Sequence, residues 1–194
     1  MNTVVMARTL YLYFGQGYRG TNMKYLIDFL ALGFVYFFFF YKKWSNKGKD
    51  ILLVNTLMFV YLTFVLYFTL MPIIVSLPFI FTHPYTPMSM IPFDDYFSGR
   101  GDTVRQILLN VLMMIPFGFL LPIIKKCSLW RCIIYTFLFS LIIELLQPLI
   151  NDYRSADITD LITNTIGGLL GYLLYLVLRQ FVEVILVRIR KKSR

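Results

Sequence analysis

Residues 129–150 read LWRCIIYTFLFSLIIELLQPLI, residues 151–157 read NDYRSAD, and residues 158–178 read ITDLITNTIGGLLGYLLYLVL. Two long apolar runs are therefore joined by a short hydrophilic turn. A helix needs about 20 apolar residues to cross a hydrocarbon core roughly 30 Å thick, and each run meets that length. The apolar residues are continuous rather than alternating, which favours membrane-spanning helices over a β-barrel. Outward from this pair, three more runs occur at residues 25–41, 51–81 and 104–124. The run 51–81 is longer than one span requires. Pro72 and Pro78 are expected to end or kink it, leaving 73–81 as a bent extension or interfacial segment.

Composition supports the same class. Of 194 residues, 58% are hydrophobic and 15% charged, and the mean hydropathy is +0.69. Soluble domains are roughly 45–50% apolar and about 25% charged, so too little polar surface exists here to coat a soluble globule. A soluble enzyme and a disordered chain are both excluded. The expected fold is an all-α integral membrane protein, a bundle of about five transmembrane helices.

The formal charge of +9 does not point to nucleic acid, because the basic residues gather at span ends, where they set topology and meet anionic headgroups. Lys42, Lys43, Lys47 and Lys49 follow the first span. Lys125 and Lys126 lie between the third and fourth, with Arg131 just inside the fourth, and Arg188, Arg190, Lys191, Lys192 and Arg194 fall in the tail. With five spans these groups share one side, which the positive-inside rule makes cytoplasmic. The N-terminus is then expected outside and the C-terminus inside. The expected organisation is an N-terminal interfacial segment (1–24), two spans (25–82), an external loop (83–103), a core of three spans (104–178) and a basic cytoplasmic tail (179–194). Residues 1–20 lack the apolar core and small residues of a cleaved signal peptide. Cys127 and Cys132 make no disulfide framework, and with the single His83 they make no four-ligand zinc site. The loop, whose Pro, Gly, acidic and aromatic residues suggest turns rather than a helix, contains Asp94 and Asp95. His83, beside Pro84, reads as a solvated turn residue.

Polar residues inside apolar spans carry the functional signal. A charge at mid-membrane costs roughly 2.5–3.5 kcal/mol on insertion scales, so such groups are paired or functional. Asn110 in the third span, Glu144 and Gln147 in the fourth, and Asp157, Asp160 and Asn164 at the start of the fifth all fall near the outer surface. At about 1.5 Å per residue, Asn110, Glu144 and Asn164 each lie on the order of 9 Å below it. Glu144 and Gln147 share one helix face, as do Asp157, Asp160 and Asn164. Arg154, in the turn above, has the planar fork to clamp a carboxylate or a phosphate. The expectation is a polar pocket open to the outside. The bland alternative makes Asp157 an N-cap and Asp160 a dipole partner, with Glu144–Arg154 and Asn110–Asn164 as structural ties between helices. Gly167 and Gly171 form a GxxxG read as packing within the bundle, and Pro116-Phe117-Gly118 is expected to bend the third span.

The chemistry left by this inventory is that of carboxylates. One histidine excludes two-histidine mechanisms, and His83 has no Ser–His–Asp context. Glu144 suits a general acid or base, with Asp157 and Asp160 as further catalytic candidates. Asn110, Gln147, Arg154, Asn164 and Asp94 are candidate substrate-binding residues. Asp157 with Asp160, or Asp94 with Asp95, could hold a divalent cation, although no dedicated metal site and no cofactor is assigned.

The ordered polar residues also carry a resemblance. IPFDDYF (residues 91–97), N-x5-PFGFLLP (110–122) and E-x2-Q-x6-R-x2-D-x2-D-x3-N-x2-GG (144–168) resemble the VanZ-like family of teicoplanin-resistance membrane proteins. The likeness covers residues 91–178, and the family's polar positions fall on Asn110, Glu144, Gln147, Arg154, Asp157, Asp160 and Asn164. It implies a multi-pass protein of the bacterial cell membrane that modulates resistance to lipoglycopeptides. The partners it implies are a membrane lipid or lipid-linked envelope precursor and the lipoglycopeptide itself, not nucleic acid. The motif does not specify a mechanism. Surface alteration, enzymatic action on an envelope precursor and transport of an envelope lipid all stay open.

Overall fold

The computed structural model describes residues 18–80, 84–150 and 154–191. His83, most of the 1–24 segment and residues 192–194 of the tail lie outside the described residues. Among the described residues, five helices are long and apolar enough to cross a membrane: Met23–Ser45, Lys49–Thr69, Thr103–Lys125, Leu129–Ile150 and Ile158–Lys191. The described residues contain no strand beyond one isolated bridge. The chain is an all-α membrane protein.

The first span begins as α1 (Tyr18–Val35), passes through a π-helical stretch over the aromatic run Tyr36–Tyr41, and ends as α2 (Lys42–Ser45). Asp28, one turn into the apolar run, is buried. Its carboxylate accepts hydrogen bonds from the backbone N–H groups of Ile73 (2.6 Å) and Ile74 (2.9 Å). The second span is α3 (Lys49–Thr69), followed after Pro72 by the short α4 (Ile73–Ser76) and a 3-10 turn, Leu77–Phe79. The prolines divide the long run as expected. The N-cap residue of α4 supplies no side-chain cap, so the aspartate of another helix satisfies its orphan donors.

The loop is more helical than expected. Asp94–Phe97 forms a single turn, α5, with both acidic residues at its positive end. Arg100 closes it by pairing with Asp94 and Asp95. α6 (Thr103–Lys125) runs on through both Pro116 and Pro122 and stops where Lys126 turns left-handed, at φ 48°. α7 is Leu129–Ile150, with Pro148 inside its last turn.

The last helix, α8 (Ile158–Lys191), has 34 residues. Most of the expected tail is therefore helix, continuous with the fifth span. Two contacts account for its persistence beyond Leu178. Arg179 and Glu183 pair at i, i+4, 2.9 Å apart. Near the end, Arg190 donates from Nε (3.0 Å) to Asp50 at the start of α3, a carboxylate otherwise buried.

The three last spans pack through glycines. A Cβ on Gly118 of α6 would run into the Gly168 carbonyl of α8, one on Gly167 into the Val111 carbonyl, and one on Gly171 into the Ile115 carbonyl. Gly168 also receives the Thr136 side chain of α7. These glycines therefore serve contact within the bundle, as the GxxxG spacing predicted. Around them Met114, Phe117, Leu121, Cys132, Ile143 and Tyr172 form part of the buried core, with Phe117 stacked on Phe139 at 4.9 Å. By contrast, only 6% of the first span's most apolar window is buried.

Backbone is the obstacle at Gly171, so relief by side-chain movement is closed. Gly171→Ala should cost about 1–3 kcal/mol, lowering the unfolding midpoint of detergent-solubilised protein by roughly 2–12 °C. Gly33→Ala, where a Cβ meets nothing within 4 Å, should instead raise that midpoint by roughly 1–4 °C, because alanine suits a helix interior better than glycine.

Candidate functional site

The site is built where α6, α7 and α8 meet beside the 84–102 loop. The start of α8 organises it. Asp157 caps the helix, its Oδ1 accepting from Thr159 N–H at 2.7 Å. Its own N–H donates to Glu144 Oε2 at 3.1 Å, so the end of α7 is tied to the beginning of α8. The loop is fastened to the same place. Ser89 N–H donates to the Ala156 carbonyl (2.9 Å), Ile158 N–H donates to the Ser89 carbonyl (3.0 Å), and Phe93 N–H donates to Thr159 Oγ1 (2.9 Å).

Beneath this seam the polar side chains pair across helices. Asn110 Nδ2 of α6 donates to Asp160 Oδ1 of α8 at 2.7 Å. One turn deeper, Asn164 Nδ2 donates to Ser140 Oγ of α7 at 2.9 Å. Glu144 is 2% exposed, Asn164 1% and Gln147 6%. No ion pair among the described residues reaches Glu144, Asp157 or Asp160. Glu144 instead meets the N-terminus of α8, where aligned peptide dipoles and the Asp157 N–H stabilise a negative charge. Asn164 Oδ1 is buried without a hydrogen-bond partner, leaving one acceptor in the layer open to a donor.

The expected constellation is thus largely gathered, with three differences. Arg154 makes no ion pair with Glu144; its guanidinium donates to the carbonyls of Thr69 and Phe68, both at 3.3 Å. Those are the last carbonyls of α3, which lack helical partners, so a nearby cation satisfies them and complements the dipole. Asn110 and Asn164 do not bond each other, because each finds a partner at its own level. Asp94 is engaged by Arg100 in the exposed loop, apart from the buried pairs. Among the described residues no group of three His, Cys, Asp or Glu side chains is placed to hold a metal ion. A cavity of about 320 Å³ occurs elsewhere, between α1 and α3.

Ser140 and Thr159 belong to the site but were not singled out from the sequence. Ser140 lies four residues before Glu144, so helical spacing on that face gave the signal. Thr159 reads as an ordinary first-turn residue, and only the folded loop reveals its role.

The VanZ/LLP1 family profile matches residues 57–179, which takes in the second half of the second span as well as the 91–178 motif region. Protein VanZ of Enterococcus faecium is 31% identical over 120 residues, 61% of this chain and 71% of that protein. No solved structure matches significantly.

The Asn110–Asp160 bond should behave as a real coupling between helices. In a double-mutant cycle with Asn110→Ala and Asp160→Ala, unfolding in detergent should give an interaction energy of roughly 0.6–1.7 kcal/mol. A value near zero would make the contact incidental.

Proposed function

Given that this chain belongs to the VanZ/LLP1 family, we propose that it lowers the susceptibility of a bacterial cell to lipoglycopeptides such as teicoplanin by altering the outer surface or envelope. The loop end of the bundle faces outward in this reading, as the lysines and arginines at the opposite end require. The working part is the polar layer of Glu144, Asp160, Asn110 and Asn164, entered past the 84–102 loop. One observation carries it. Glu144 is buried and Asp160 partly buried in membrane helices, and their hydrogen bonds come from a peptide and an amide donor rather than from cations. Holding acidic groups there costs stability, which favours a functional reason for keeping them.

That observation also favours a specific chemistry. Acting on a membrane lipid or lipid-linked envelope precursor as a hydrolase or transferase, the protein would use Glu144 as general acid or base. Asp160, Asn110, Gln147 and Asn164 would position the substrate's polar group. Asp157 and Arg154 act in this scheme by fixing the N-terminus of α8 and the end of α3. Transport of an envelope lipid has less support, since the polar stripe continues below Glu144 only as Ser140 and Thr136, and Thr136 is packed against Gly168.

In a susceptible Gram-positive host, expression should raise teicoplanin tolerance more than vancomycin tolerance. Glu144→Gln, nearly the same shape, should return tolerance to the level of empty vector while membrane abundance stays unchanged. Full protection by Glu144→Gln at matched abundance would remove this carboxyl from the mechanism. Loss of the variant from the membrane would assign Glu144 to folding.

A further inference from the structure

The first span touches the second at two places and parts from it between them. Toward the loop end, Phe29 meets Tyr67 with ring centroids 5.6 Å apart, and Tyr25 meets the same ring edge-on at 5.5 Å. Toward the basic end, Tyr36 packs on Phe59 at 5.2 Å, and its hydroxyl shares a 2.7 Å hydrogen bond with Thr56 Oγ1. Gly33 lies midway and presents no side chain, and a Cβ there would meet nothing within 4 Å. An open slot of about 320 Å³ results, lined by Leu32, Gly33, Val60, Thr63 and Phe64 and flanked by the aromatic contacts.

The usual reasons for a helical glycine do not hold at position 33. No backbone approaches it, unlike Gly118, Gly167 and Gly171, and glycine inside a helix costs roughly 0.5–1 kcal/mol relative to alanine. The slot also lies wholly within two candidate spans. Its polar atoms are already engaged, Tyr36 with Thr56 and Thr63 with the Phe59 carbonyl at 3.0 Å, so they offer water little at this depth. The residues from Phe29 to Tyr36 rise about 10 Å, which is the scale of a chain segment rather than a headgroup. An engineered apolar cavity of about 150 Å³ takes up benzene, and this space is roughly twice that.

We propose that the slot between α1 and α3 is a binding site for one acyl chain of a membrane phospholipid, with Gly33 as its floor. The chain replaces the side-chain packing that the first span otherwise lacks, so the bound lipid works as the filler between this helix and the rest of the bundle. None of its lining residues belongs to the polar layer, and the site operates whether or not Glu144 has a chemical role.

The test reconstitutes the full chain in vesicles of phosphatidylglycerol and phosphatidylcholine, doped with phosphatidylcholine carrying a diazirine midway along one acyl chain. After photolysis, peptide mapping should find adducts at residues 29–36 and 56–64 several-fold above those at Leu108 and Leu112, which are exposed on the lipid-facing side of α6. Gly33→Leu, filling the floor, and Thr63→Leu, filling the opposite wall, should each lower the slot adducts several-fold and leave those at Leu108 and Leu112 unchanged. Equal labelling of slot and α6 surface, or slot labelling indifferent to both substitutions, would overturn the proposal.

Discussion

Helices inside a bilayer gain little by turning apolar side chains from lipid toward one another, so their association rests on close fit and on polar contacts. In this protein the fit is made by backbone against backbone. Gly118, Gly167 and Gly171 let α6 and α8 approach until carbonyls occupy the space a methyl would need. That approach fixes a register, and the register determines which polar groups meet. Asn110 comes level with Asp160, and Thr136 of α7 nests on Gly168, which sets Ser140 opposite Asn164. A slide of one helical turn, about 5.4 Å, would separate each pair and strand its members in hydrocarbon. The glycines and the polar layer are therefore one device.

The layer also shows how a buried acid, Glu144, and a partly buried one, Asp160, can be held without cations. Glu144 sits where α8 begins, so unsatisfied peptide N–H groups and the helix dipole supply what an arginine would supply elsewhere. Asp160 leans on an amide. Arg154, the cation nearest in sequence, works as a strut on the end of α3 instead. Such an arrangement stabilises the acids through fixed dipoles that need no long flexible side chain, leaving the layer compact. Any chemistry at Glu144 must therefore respect its part in fastening α7 to α8.

Much of this was legible in the sequence for physical reasons. Hydrocarbon thickness dictates run length, so the five spans and the break at Pro72 could be read directly. Helical spacing and equal depth marked Asn110, Glu144, Asp160 and Asn164 as one group. Pairing was not legible, because depth alone cannot say which of several neighbours at one level will bond. Arg154 illustrates this: its partners are backbone carbonyls about 85 residues earlier in the chain, and carbonyls carry no sequence signal. Asp28 is similar, visible as an anomaly in the first span, with its N–H partners on a short helix that local propensity does not foretell. The prolines of α6 do not end the helix, which runs from Thr103 to Lys125. The helix absorbs them, since close neighbours can re-satisfy a freed carbonyl.

The two ends of α3 and α8 are fastened near each other, by Arg154 at one side of the membrane and by Arg190 on Asp50 at the other. Yet α3 has 21 residues and α8 has 34, or about 32 Å against 51 Å of rise. The turn from Arg154 to Ile158 and the two long arginine side chains bridge that difference. Because the turn leads directly into Asp157, Asp160 and Asn164, the strut that holds the end of α3 also governs where the first residues of α8 lie.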